Sequence, residues 1–299
     1  MSVSSGSRDV TTGTASSPSA FNELNFRALN ASKMEHTVET PRPRVENHQM
    51  KVKLLFLCLL VGLIFSASAQ QAQPQPKSQE ELDALMAIQS AASADQRVML
   101  ATKFLKDYPK TEFKEFGNYM LMLSYQQLND FENMLLFGER TLEENPDTVG
   151  TLLQLAFAIP NRTREFDLDK DEKLARAEDY AKRALTLVPN MEKPNPNVPD
   201  EEWLTSKRDF MSQGNEAIGL VAMKRADYPV AEEMLRKALT LAVKQSGSTM
   251  YYLADALHQQ GKKDEALGMI DQSIAAGGVP LGDGSNLADA LKKEIQAGG

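Results

Sequence analysis

Residues 118–147 read NYMLMLSYQQLNDFENMLLFGERTLEENPD. Leu121, Tyr125 and Leu128 precede the Asn129-Asp130 pair; Phe131, Met134, Leu135 and Leu142 follow it. Spacings of three and four place each set on one face of a helix. Asn and Asp tolerate tight-turn backbone, and Pro146 cannot continue a helical hydrogen-bond ladder. The stretch is therefore two short helices folded back on one another. Each keeps an apolar face wider than a single partner covers.

The same design recurs outward in both directions. Helical periodicity begins at Ser78 and divides into hairpins at about 78–110, 111–147, 148–190, 200–245 and 247–278, with a last helix at about 284–297. Ser93 and Gln96 have capping-box spacing, as do Asn129 and Glu132, with Asn in place of the usual Ser or Thr. Thr111 is expected to start one helix and Ser248 to open another, while Pro160 is expected to interrupt the helix before it. Residues 189–200, PNMEKPNPNVPD, form a loop, and the helix after it is expected to run to about Arg225.

These residues resemble the tetratricopeptide (TPR) family, in which a helical hairpin of about 34 residues recurs. First-helix packing slots are Leu121, Met122 and Tyr125; Leu152, Leu155, Ala156 and Ile159; Ile218 and Gly219; Leu253 and Ala254. Second-helix small-residue slots are Ala177 and Ala184, Ala231 and Ala238, and Ala266 with Ser273. Met134 and Thr141 stand where alanine is expected, which implies looser contact in that hairpin. The resemblance implies an all-α, right-handed α-solenoid of about five hairpins plus a C-terminal capping helix. Stacking buries what each hairpin leaves bare.

Charge and cysteine use narrow the function. Formal net charge is −8 over 299 residues, so the chain lacks the basic surplus of a phosphate-backbone binder. Cys58 is the only cysteine, which excludes an intrachain disulfide or a cysteine metal site. It lies inside LLFLCLLVGLIF, residues 54–65, preceded by Met50-Lys51-Val52-Lys53 and followed by Ser66-Ala67-Ser68-Ala69. A basic start, a short apolar core and an A-x-A end are the parts of a secretory signal peptide, residues 50–69. Cleavage after Ala69 leaves residues 70–77 as a flexible leader and a periplasmic or secreted protein without a stable membrane span. An uncleaved anchor is the alternative, for which the apolar run is short. Residues 1–49 are Ser/Thr-rich without periodicity, and read as disordered or as an extension of the gene ahead of Met50.

In the family the first helices line the concave face. Slot by slot, the resemblance then implies partner contact at Tyr119, Leu123, Gln126, Leu153, Phe157, Glu216, Leu220, Met223, Tyr251, Asp255 and His258. The Lys, Arg and Asn set with which some TPR domains hold a peptide carboxylate is missing from these slots. Asp167, Asp169, Asp171 and Glu178 have partial EF-hand spacing, but Glu172 stands where the loop needs glycine, so Asp169 reads as a helix cap and no metal site is expected. No nucleophile motif or phosphate loop occurs. The expectation is a non-catalytic scaffold without a cofactor that binds a protein or peptide on its concave face. The alternative is a structural envelope protein that self-associates through open solenoid ends.

Overall fold

The computed structural model describes residues 74–297. The signal-peptide and leader readings up to residue 73 lie outside them. The chain forms α1 (Gln79–Gln89), α2 (Ala94–Asp107), α3 (Lys114–Gln127), α4 (Phe131–Glu144), α5 (Val149–Arg162), α6 (Lys170–Leu187), α7 (Asp200–Lys224), α8 (Tyr228–Leu241), α9 (Gly247–Gln259), α10 (Lys263–Ala275) and α11 (Leu287–Ala297). Consecutive helices pair as five hairpins, and α11 covers the last of them by packing on α10 and α9. This is an α-solenoid of TPR-like hairpins with a C-terminal cap. Among the described residues no helix is long and apolar enough to cross a membrane.

Local chemistry explains the helix ends. The Ser93 hydroxyl accepts from Gln96 N at 3.1 Å, and the Gln96 side chain accepts in return from Ala92 N, one residue before the expected arm of the box. At α4 the cap is Asp130, not Asn129: its carboxylate accepts from Asn133 N at 3.1 Å. Asn129 instead takes the left-handed turn position, φ 58°. Asn tolerates that backbone, which leaves the next residue free to cap. Ser246 rather than Ser248 caps α9, and α3 begins at Lys114, three residues after Thr111. Asp169 stands at the N-cap of α6 but makes no capping bond; its carboxylate pairs with Lys173 at 2.8 Å. Pro160 lies within α5, which continues to Arg162. Pro160 has no N–H for Ala156 O, but the turn after it still closes, with Thr163 N on Ile159 O at 3.0 Å.

Two apolar cores run through the stack. The first gathers α1 to α6 and part of α7, with Phe104, Phe113, Leu121, Leu152, Leu155 and Leu174 fully buried; the second gathers the end of α7 with α8 to α11. Met134 and Thr141 are buried, so the second hairpin is not loosened at its departures from alanine. Met134 fills its slot, and the Thr141 hydroxyl turns back to Phe137 O at 2.8 Å, which satisfies it without a partner across the interface.

Candidate interaction surface

The first helices approach one another along the C-terminal half of the stack. α5 packs on α7, and α7 touches α9. Tyr252 of α9 reaches back to donate to Asn161 Oδ1 at the end of α5, 3.2 Å away and 91 residues earlier. Lys224 of α7 donates to Thr163 O at 3.1 Å. These bonds draw three hairpins together on their first-helix side.

The eleven anticipated contact residues divide by burial. Tyr119 and Leu153 belong to the first core and Leu220 is also buried, so these three fill space between hairpins. Leu123, Gln126, Glu216, Met223, Tyr251, Asp255 and His258 are half-buried, and Phe157 is 39% exposed. Gln126 is spent on the next hairpin, donating to Gln154 Oε1 at 2.8 Å. His258 Nε2 lies 4.0 Å from Glu294 of the cap helix. Leu123 packs against the first core, which leaves Phe157 on α5, Glu216 and Met223 on α7, and Tyr251 and Asp255 on α9, with Tyr252 packed edge-on against Tyr251 at 5.2 Å between centroids.

This side is acidic and uncompensated. Asp209 accepts from Gln213 at 3.0 Å, Glu216 from the Thr249 hydroxyl at 2.7 Å and Asp255 from Gln259 at 3.1 Å. All three donors are neutral, and among the described residues none of the three carboxylates is ion-paired with Lys or Arg. Burial raises all three above the usual carboxylate range; for Glu216 the Asp209 charge adds to it. Burial also pushes the Tyr252 hydroxyl up to about 12, with the charges of Glu216 and Asp255 contributing. The main cause in each case is loss of water around a group that would carry charge.

A recurring device was missed from the sequence. A carboxylate of one first helix, buried at Glu81 and Glu115 and half-buried at Glu216, accepts from a threonine hydroxyl ahead of or within the next: Thr111 to Glu81 at 2.6 Å, Thr148 to Glu115 at 2.6 Å and Thr249 to Glu216 at 2.7 Å. The Glu-to-Thr separations of 30, 33 and 33 residues are the available signal, since they track the repeat length. Elsewhere, the acidic run 167–171 is neutralised internally, with Lys173 bridging Asp167 at 3.1 Å and Asp169 at 2.8 Å. Among the described residues no group of three His, Cys, Asp or Glu side chains stands together as a metal-ligand set.

No family model matches the chain, and no curated protein matches it. Solved structures resemble it at low identity. A thermophilic TPR protein of Thermus thermophilus is 17% identical over 73% of this chain and 98% of its own, with a TM-score of 0.44. PilW, a type IV pilus biogenesis factor, is 16% identical over 67% of this chain and 78% of its own, with a TM-score of 0.47. TPR-like repeats of a putative kinesin light chain from Podospora anserina are 13% identical over 66% and 92%, with a TM-score of 0.40. The chain is a TPR-like helical-hairpin repeat protein on the strength of its own helices, turns and packing slots.

Proposed function

We propose that the chain is a non-catalytic interaction scaffold, exported from the cytoplasm, that binds an extended basic peptide or protein segment on its concave, first-helix side. One observation carries the reading: Glu216 and Asp255 lie beside Tyr252, which bonds Asn161 one helical turn after Phe157, and among the described residues Asp209, Glu216 and Asp255 make no ion pair with Lys or Arg. A lysine or arginine from a partner would supply the missing charge, and the aromatic faces would take the apolar stem or stack on a guanidinium. Export rests on the signal-peptide pattern of residues 50–69.

Fluorescence anisotropy with Lys/Arg-rich and Glu-rich peptides of equal length tests the binding. The basic peptide should bind and weaken as salt rises, and Asp255→Lys with Phe157→Ala should lower its affinity tenfold or more. Equal affinity for the acidic peptide would defeat the reading. N-terminal sequencing of the protein from its native cell should begin at Gln70; an intact Met1 or Met50 start would defeat the cleavage after Ala69. Tyr119 is a poor probe of this surface, since it is packed inside.

A further inference from the structure

Lys224 closes α7 half-buried and without a counter-charge. Its Nζ donates to Thr163 O at 3.1 Å, across the junction between the third and fourth hairpins. Among the described residues no carboxylate stands within ion-pair distance of it. The half-buried lysines at the start of α6 are matched: Lys170 by Glu165 at 2.8 Å, and Lys173 by Asp167 at 3.1 Å and Asp169 at 2.8 Å. Arg225, the next residue along the chain, is matched by Glu178.

A carbonyl oxygen satisfies one N–H of an ammonium but carries no full charge to offset it. Drawing a cation partly out of water with no anion beside it favours the uncharged amine. Burial accordingly holds the Lys224 pKa below the usual lysine range, and the Lys170 ammonium lowers it further; Glu165 and Asp167 offset part of the fall. Those two carboxylates are engaged by Lys170 and Lys173. An ammonium has three N–H groups and no lone pair. The amine keeps an N–H for Thr163 O and gains a lone pair. A lysine stripped of water beside a second cation is the arrangement that turns an amine into a nucleophile for carbonyl carbon.

We propose that Lys224 is a covalent modification site, at which this amine, held by a backbone carbonyl and by no carboxylate, takes a small aldehyde as a reversible imine. The nitrogen lone pair attacks the aldehyde carbon, and a proton moves from nitrogen to the former carbonyl oxygen. That oxygen takes a second proton from solvent and leaves as water while the C=N bond forms. The proton left on nitrogen returns to solvent, so the neutral imine has no N–H for Thr163 O. Modification therefore releases one tie between the third and fourth hairpins, and hydrolysis restores it.

Glycolaldehyde tests this on the full chain at pH 7, with cyanoborohydride to reduce the imine to a stable secondary amine. Peptide mass spectrometry over a time course should find Lys224 labelled about tenfold or more faster than the exposed Lys237. The Lys224 rate should reach its plateau below pH 10.5, the ordinary lysine value. Lys170→Gln removes the second cation and leaves Glu165 unopposed, so it should slow Lys224 labelling. Glu165→Gln removes an anion and should speed it. Circular dichroism checks that both variants keep wild-type helicity. Lys224 labelled no faster than Lys237 in the wild type, or a rate that neither substitution moves, would overturn the proposal.

Discussion

Glu115 sits where the second hairpin meets the third, 6% exposed, with its carboxylate held by the Thr148 hydroxyl at 2.6 Å and Asn145 Nδ2 at 3.1 Å. Burial raises its pKa from 4.5 to about 7; the two hydrogen bonds offset only part of that, and Glu144 adds to the rise. The proton is thus held more tightly folded than unfolded. The resulting stability is complete below about 4.5 and is lost as pH rises through about 7. A shift of this size corresponds to up to roughly 3 kcal/mol. Thermal melts at pH 5 and pH 8 should show wild type losing stability at the higher pH. Glu115→Gln, which cannot ionise and still offers an oxygen to Thr148, should remove much of that loss. Glu216, Asp209 and Asp255 leave a residual slope, and a slope unchanged by the substitution would show that Glu115 is not its source.

The same scale shows what the sequence could tell. Three- and four-residue spacing placed Tyr119 and Phe157 on the first helices, because helix period is a local property. It could not tell which was covered, since that depends on how closely successive hairpins approach. Tyr119 is 6% exposed and Phe157 39%. Tyr119→Ala should therefore cost about 3 kcal/mol or more in urea unfolding, as for other large core truncations. Phe157→Ala should stay within about 0.5 kcal/mol, as surface changes do. Equal costs would contradict these placements. Phe166 and Leu168, both exposed in the loop between α5 and α6, were illegible too, because no helical period extends through a loop.

At the scale of the helical hairpin, one turn joins the two helices in three of the hairpins. Asn129 (φ 58°), Ala226 (φ 57°) and Gly261 (φ 74°) occupy its left-handed position. In each case the next residue's N–H closes on a carbonyl five residues back: Asp130 on Tyr125, Asp227 on Ala222, and Lys262 on Leu257. This is the bond pattern of a Schellman ending. Asn and Gly accept the backbone readily, whereas a Cβ there meets the following carbonyl oxygen at a cost of about 1–2 kcal/mol. The turn was therefore readable at Asn129 and Gly261 but carries no such mark at Ala226, where the tertiary fold imposes it. Ala226→Gly should raise stability by about 1 kcal/mol and Gly261→Ala lower it by about as much. Both are read by chemical denaturation at constant m-value, and an unfavourable Ala226→Gly would mean that the unfolded chain's added freedom outweighs the relief.

At the scale of the whole molecule, the two apolar cores meet along α7. This helix of 25 residues gives Ala217 and Val221 to the first core and Ala222 to the second. Stability in such a stack is a sum of repeat and interface contributions, so a local loss need not spread through every hairpin. Ile270 of α10 is fully buried in the second core, and Ile270→Ala should cost about 2–5 kcal/mol there. Native-state hydrogen exchange should register it as faster exchange in α8 to α11, with α1 to α4 unchanged. The bonds from Tyr252 to Asn161 and from Lys224 to Thr163 bridge the end of α5 to the later hairpins, so α5 and α6 should respond less than α8 but more than α1. Adding Tyr252→Phe removes the longest of these ties and should sharpen the boundary, leaving α5 nearly indifferent to Ile270. Uniform acceleration from α1 to α11 would instead mean one cooperative unit, in which α7 couples the cores too strongly for them to open separately.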